Sequence, residues 1–211
     1  MLFAVTEDWY FWSHRKPLAD YLRENGSEVS IATRFNTHRL QLVEAGFRCL
    51  PISFERSLRH PLRDLRAVFG LYSAVGRIRP DIVHLVSLKP ILLSCLAIFA
   101  KRRTQFIAAF TGMGYLFSSP DRGARWLQRG LVAILQVMLR RPNVWVIVQN
   151  NQDKMLLVTE GLGIPGRTVL IPGVGVDTVE FAFAELDFTA PALVLLPARL
   201  IREKGLGEFV A

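Results

Sequence analysis

Short apolar runs rich in β-branched and aromatic residues alternate along this chain with longer stretches of helical period, and that alternation restricts its fold more than any other feature. Residues 2–5, 28–33, 47–52, 81–86, 106–110, 144–148 and 169–171 read as strands. Between them, helices are expected over 14–24 (stopped by Asn25-Gly26), 38–45 (ended by Gly46), 61–79 (opened by Pro61, closed by Pro80), 90–100, 122–141 and 152–161. Strand and helix alternating this often predict an α/β fold built on a doubly wound parallel sheet. Ligands of such sheets bind beyond the carboxyl ends of the strands. Functional residues are therefore expected just after each strand, over 6–15, 84–89, 111–115, 149–150 and 173–177.

The pattern changes after Asp177. Residues 178–191 have neither period, 193–196 begin another apolar strand, and a helix starts after Lys204-Gly205. One strand and half a helix cannot bury a core of their own. The expected organisation is a domain over 1–177, a linker over 178–191 and the truncated first βα unit of a second domain over 192–211.

Charge narrows the partners. The chain carries 26 Lys and Arg against 18 Asp and Glu, a net +8, and this excess predicts an anionic partner: a nucleotide or diphosphate, a lipid head group, or nucleic acid. Nucleic acid is disfavoured because the basic residues are scattered rather than interleaved with aromatics on one stripe. Cys49 and Cys95 sit in apolar runs without a paired spacing, so both are expected to be reduced core residues of a cytosolic protein. Met1 leads straight into an apolar strand, and no secretory leader is expected. The longest apolar run, 91–100, is about half the length of a spanning helix, so contact with a membrane surface is expected and crossing is not.

The first strand-to-helix turn reads Thr6-Glu7-Asp8-Trp9-Tyr10-Phe11-Trp12-Ser13-His14-Arg15. It has no glycine, which argues against a nicotinamide dinucleotide site. Its four aromatics either pack under the next helix or form a platform for a sugar or lipid, with Ser13, His14 and Arg15 supplying hydrogen bonds and charge. His84, expected at a strand's carboxyl end, is either structural or a ligand contact, and Lys89 faces either an anion or solvent. Thr111, Gly112, Gly114 and Tyr115 follow a strand directly, and two glycines two apart permit positive φ and close backbone approach. Gly173, Gly175 and Asp177 form a similar loop, a hinge or a cleft wall. Arg199 ends a strand and Lys204-Gly205 opens a helix, so the two cations would converge at a helix N-terminus suited to a diphosphate. Arg199 can fork onto phosphate oxygens, Lys204 adds a point charge, and Gly205 leaves room. The stretch 122–141, with Arg122, Arg125, Arg129, Arg140 and Arg141 around apolar residues, is a core-facing helix with solvated ends or a helix lying on a membrane.

Taken in order, Ser13-His14-Arg15-Lys16-Pro17-Leu18, Arg79-Pro80-Asp81-Ile82-Val83-His84, Leu88-Lys89-Pro90, Thr111-Gly112-Met113-Gly114-Tyr115-Leu116-Phe117, Gln149-Asn150, Pro172-Gly173-Val174-Gly175-Val176-Asp177 and Ala198-Arg199-Leu200 through Lys204-Gly205 resemble bacterial family 4 glycosyltransferases. The closest resemblance is to members that build capsular, exopolysaccharide or N-glycan precursors on polyprenyl-diphosphate carriers. It implies a GT-B fold, two Rossmann-like domains facing across a cleft, of which this chain would supply the N-terminal acceptor side and the start of the C-terminal side. It further implies retaining transfer of a hexose or N-acetylhexosamine from a nucleotide diphosphate sugar, expected to be a uridine diphosphate sugar, to a polyprenyl-diphosphate-linked glycan. No metal or other cofactor is implied. Arg199 and Lys204 match the cations that stabilise the departing nucleotide diphosphate. Ser13, His14, Arg15, His84, Lys89, Thr111, Gly112, Gly114 and Tyr115 fall to the acceptor. Asn150, Gly173, Gly175, Asp177 and Gly205 fall to the donor or a hinge. The expected location is cytoplasmic, on the inner face of the cytoplasmic membrane. Three departures stand out: an aromatic loop where many relatives carry Gly-Gly, Val86 where many carry a second His, and no Glu-containing donor motif. The fragment alone is therefore expected not to transfer sugar efficiently. The alternatives are a truncated non-catalytic acceptor or membrane-docking module, and a GT-B sugar-nucleotide epimerase.

Overall fold

The computed structural model describes residues 1–54, 61–113, 122–173, 175–185, 193–198 and 205–210, with the backbone alone over 122–127. The chain divides into two compact units, Met1–Val174 and Gly175–Ala211.

In the first unit the apolar runs form strands β1 (Leu2–Glu7), β2 (Ser30–Arg34), β3 (Arg48–Pro51), β4 (Ile82–Val86), β5 (Gln105–Phe110), β6 (Val144–Val148) and β7 (Thr168–Leu170). They pair in one seven-stranded, all-parallel sheet of order β3-β2-β1-β4-β5-β6-β7. Parallel strands need long crossovers, and helices supply them. Helices α1 (Asp8–His14), α2 (Lys16–Glu24) and α3 (Arg39–Glu44) serve the β1-to-β3 half. Helix α4 (Pro61–Ile78) returns the chain to the centre, and α5 (Leu88–Leu93), α6 (Cys95–Ala100), α7 (Arg122–Leu139) and α8 (Asn151–Thr159) serve the rest.

The two helix groups cover opposite faces, and the period of two along β1 shows it. Phe3 and Val5 pack with Phe11, Ala19, Leu42 and Phe47 from the α1–α3 side. Leu2 and Ala4 join Ala67, Leu71, Ile98, Leu135 and Leu157 on the other. Burial on both faces explains why the central strands read as continuous apolar runs. Pro51 ends β3 at the sheet margin, where a missing N–H costs no ladder bond. Among the described residues, no helix is long and apolar enough to cross a membrane.

Three local expectations change. The aromatic turn after β1 is helical from Asp8: low intrinsic propensity gives way to packing, because Phe11 buries its ring edge-on against Phe3 and Phe47. The helix over 14–24 begins at Lys16, after a break at Arg15. The helix over 90–100 is two, α5 and α6, parted at Ser94, whose buried hydroxyl donates back to the Ile91 carbonyl at 2.6 Å.

In the second unit, Asp177 closes a turn by accepting from the Val179 and Glu180 N–H groups, and α9 (Leu206–Val210) is helical. The expected strand over 193–196 is not formed, and Leu193, Val194 and Leu195 are exposed. A strand exists through its ladder, and the described residues of this unit offer no partner strand.

Candidate functional site

The strand order reverses between β1 and β4, so the carboxyl ends of these two strands flank the topological switch point. On the β1 side stand two adjacent acids, Glu7 and Asp8, both buried. Asp8 is the hub. One of its oxygens accepts from the backbone N–H groups of Asn36, Thr37 and His38 at 2.8, 2.9 and 2.9 Å, and the other accepts from its neighbour Trp9 at 2.9 Å. Burial pushes the Asp8 carboxyl up, but these four donations outweigh it and hold it below the ordinary carboxylate range. Glu7 pairs with the Arg34 guanidinium at 2.5 Å and accepts from the Asn36 amide at 2.7 Å. The two acids thus tie the loop after β2 to the end of β1. Neither was singled out from sequence; the available signal was a Glu-Asp pair directly after a buried apolar strand.

On the β4 side, Ser87 has φ 73° and ψ 165°, a conformation almost reserved for glycine. Its N–H donates to the Ala109 carbonyl at 2.9 Å and its hydroxyl donates to the Val86 carbonyl. Lys89 follows in the first turn of α5. It neither faces solvent nor stands as a lone cation, being buried in an ion pair with Asp64 of α4 at 2.7 Å.

His84 lies in the middle of β4, in register with Phe3, rather than at the strand's carboxyl end. Its ring stacks on Phe3 at 5.2 Å, beneath α1 and α2. Burial, with the Arg15 guanidinium adding to it, pushes its pKa down to about 3, so the imidazole is neutral at physiological pH. Arg15 turns inward at the break between α1 and α2 and is buried too. Neither Arg15 Nε nor His84 Nε2 has a hydrogen-bond partner among the described residues. The structure therefore brings Arg15 and His84 together under the helices. Ser13 and His14 remain at the outer end of α1, hydrogen-bonded to each other at 2.7 Å, with the His14 ring stacked on Tyr10. Trp12 stacks on His38 at 5.2 Å.

At the end of β5, Thr111 is half-buried and Gly112 exposed with φ 140°, and the following Met113 N–H donates to Asp153 at 3.2 Å. Gly114 and Tyr115 lie outside the described residues, as do Arg199 and Lys204. Asn150 is the N-cap of α8, accepting from the Asp153 N–H at 2.7 Å. Gly173 (φ 54°) follows β7 in the first unit, whereas Gly175 (φ 68°) and Asp177 belong to the second, as does Gly205 (φ 70°) just before α9. Among the described residues, no group of three His, Cys, Asp or Glu could hold a metal ion.

Two cavities open on opposite margins of the sheet. One of about 380 Å³ lies at the carboxyl ends of β2 and β3, lined by Thr33, Arg34, Asn36, Thr37, Arg39 and Ile52. A wider groove of about 900 Å³ lies at the amino ends, against Met1, Arg23, Glu28, Arg48, Arg79 and Asp81. The smaller one is lined by Arg34, Asn36 and Thr37, the residues that bond to Glu7 and Asp8 at the end of β1.

Comparison with known proteins gives these features a context. A family model described as glycosyl transferase 4-like matches residues 1–150, from β1 through β6. No curated protein sequence matches the chain significantly. A solved glycosyltransferase from Rickettsia africae is similar at TM-score 0.61 and 18% identity, over 89% of this chain and 46% of its own. Sucrose-phosphate synthase from Thermosynechococcus elongatus is similar at 0.58 and 12%, over 81% and 47%. The UDP-GlcNAc 2-epimerase of Methanocaldococcus jannaschii is similar at 0.54 and 13%, over 82% and 45%. These likenesses are of fold, and the chain spans about half the length of each structure.

Proposed function

Because the chain belongs to the glycosyl transferase 4-like family, with the seven-stranded parallel sheet of a GT-B N-terminal Rossmann-like domain, we propose that it forms the acceptor side of a retaining glycosyltransferase. The donor is a nucleotide diphosphate sugar, for which a uridine diphosphate hexose or N-acetylhexosamine fits the resemblance. The acceptor is a glycan on a polyprenyl diphosphate at the inner face of the cytoplasmic membrane, and the product serves surface polysaccharide or glycan biosynthesis. The observation that carries this reading is the family match running unbroken from β1 through β6, across the switch point whose rim holds Glu7, Asp8 and Ser87. The net charge of +8 suits an acceptor that brings a diphosphate.

In this reading the roles differ in kind. His84, neutral at physiological pH, contributes a hydrogen bond rather than charge, and Arg15 beside it contributes the positive charge. Lys89 is committed to Asp64, so it orders the start of α5 instead of clamping a phosphate. Residues 192–211 begin the donor-side domain, and there Arg199 and Lys204 neutralise the nucleotide diphosphate as it leaves. Such charges act most strongly in the transition state, so their loss lowers kcat more than it raises KM.

The test is transfer from uridine diphosphate sugars to a polyprenyl-diphosphate-linked sugar by the polypeptide of the natural reading frame. Arg199→Ala and Lys204→Ala should each lower kcat roughly 10²- to 10³-fold without changing the circular dichroism spectrum. Near-normal turnover in either variant removes that residue from the mechanism. Transfer to water-soluble acceptors alone removes the lipid carrier.

A further inference from the structure

The helices that cover the β4–β7 half of the sheet carry apolar side chains on both of their faces. Helix α4 buries Ala67, Leu71, Ala74 and Val75 in the core, yet its outer side presents Leu62, Leu65 and Phe69, which are 76, 51 and 55% exposed. Helix α6 packs beside α4 and adds Phe99; α7, on the far side of α6, adds Ile134 and Val137, the latter 58% exposed. A surface helix of a globular domain normally keeps its outer face polar. Exposed apolar residues repeated on three neighbouring helices mark a surface that meets something else.

The charge carried by these helices is almost entirely of one sign. Arg63, Arg66, Lys101, Arg102, Arg103 and Arg141 belong to these helices and the turns that follow α6 and α7. Over the described side chains of 61–78, 95–103 and 128–141 the one carboxylate is Asp64, already paired with Lys89. Two of the cations lie over aromatic rings of the same layer: Lys101 Nζ is 4.6 Å from the Tyr72 centroid, and the Arg141 guanidinium is 5.3 Å from that of Phe99. The opposite layer differs, for α2 and α3 mix Asp20, Glu24 and Glu44 with their basic residues.

We propose that the α4–α6–α7 face is where this protein lies on an anionic lipid bilayer. The leucine, phenylalanine, isoleucine and valine side chains enter the boundary between head groups and acyl chains, and the arginines and lysine meet lipid phosphates. A protein partner would need a matching acidic surface; a bilayer of anionic lipid offers the apolar layer and the negative charge together. The proposal goes beyond the transfer reaction and does not depend on the acceptor, since this face would bind vesicles even if the acceptor were water-soluble.

Co-sedimentation with vesicles tests it on the chain as it stands. The protein should pellet with phosphatidylglycerol-rich vesicles at low salt, much less at high salt, and weakly with pure phosphatidylcholine. The exposed-site variant Leu65→Ser/Phe69→Ser/Val137→Ser, and separately Arg102→Glu/Arg103→Glu, should each weaken partitioning at least about tenfold. Leu40→Ser/Val43→Ser, on exposed positions of α3, should leave it unchanged. Equal binding to neutral vesicles, or binding that both face variants leave intact, overturns the proposal. So does a concentration-dependent dimer in analytical ultracentrifugation that the apolar variant abolishes while no vesicle binding is seen, because the face would then be covered by a second copy.

Discussion

Three consecutive backbone N–H groups converge on one oxygen of Asp8, and this single carboxylate decides where the loop after β2 stands. Asp8→Ala removes the shared acceptor from three part-buried donors, and the expected cost is about 1–2 kcal/mol, read as a lower urea midpoint. His84 makes a different kind of prediction. Its folded pKa, about 3, lies below its unfolded value of about 6.5, so the unfolded chain binds the extra proton between those limits. The associated stability is fully present above pH 6.5 and is lost as the pH falls toward 3, at close to tenfold in the folding constant per pH unit. Urea midpoints taken between pH 6.5 and 5, before most carboxylates titrate, should fall in the wild type and fall less in His84→Phe. Most of this residue-scale chemistry was hidden in the sequence. Arg15 and His84 were legible as polar residues near strands, but their meeting inside the protein depends on a helix break that local pattern does not encode. Lys89 looked like a solvated or anion-facing cation because its partner, Asp64, lies a whole crossover away.

Elements were far easier to read. Strands announce themselves as apolar runs, and 144–148 appears in the structure with the same ends, although only one of its faces is fully buried and Trp145 on the other is exposed. Helix existence was likewise legible, while helix continuity was not. Ser94 and Arg15 look unremarkable in a helical pattern, yet each parts two helices through contacts made to the backbone or across the core. Asn150 has a structural part that its place in the sequence did not reveal. Placed with the donor or a hinge by its position after β6, it caps α8: its side-chain oxygen accepts from the Asp153 N–H and its amide donates to the Asp153 carboxylate at 3.0 Å. Asn150→Ala should therefore cost about 1 kcal/mol and Asn150→Ser less, whereas Asn150→Asp, which replaces the donating amide by a second carboxylate facing Asp153, should cost more than Asn150→Ser. Chemical denaturation of the three variants checks the order. Asp153 also holds the Met113 N–H, so loosening this cap should speed amide exchange at Met113, beside the glycine loop that follows β5.

At the scale of the whole molecule, the two core clusters formed by the described residues draw their members from the first unit, up to Leu170. In the second unit Val179, Phe183 and Leu193 are exposed. Residues 1–174 alone should accordingly unfold in one cooperative transition with a midpoint close to that of the full chain, and residues 175–211 alone should show no cooperative transition. A midpoint shifted by several degrees would mean that the second unit stabilises the first. The parallel order of the sheet has a consequence for how the chain is made. Phe3 of β1 pairs on one side with Ile31, 28 positions later, but on the other with His84, 81 positions later. At ~5–20 residues per second, β1 waits roughly 4–16 s on the ribosome before β4 exists. The strand destined for the middle of the sheet thus begins its life at a margin, one side bare, with the mispairing hazard that any uncovered edge carries.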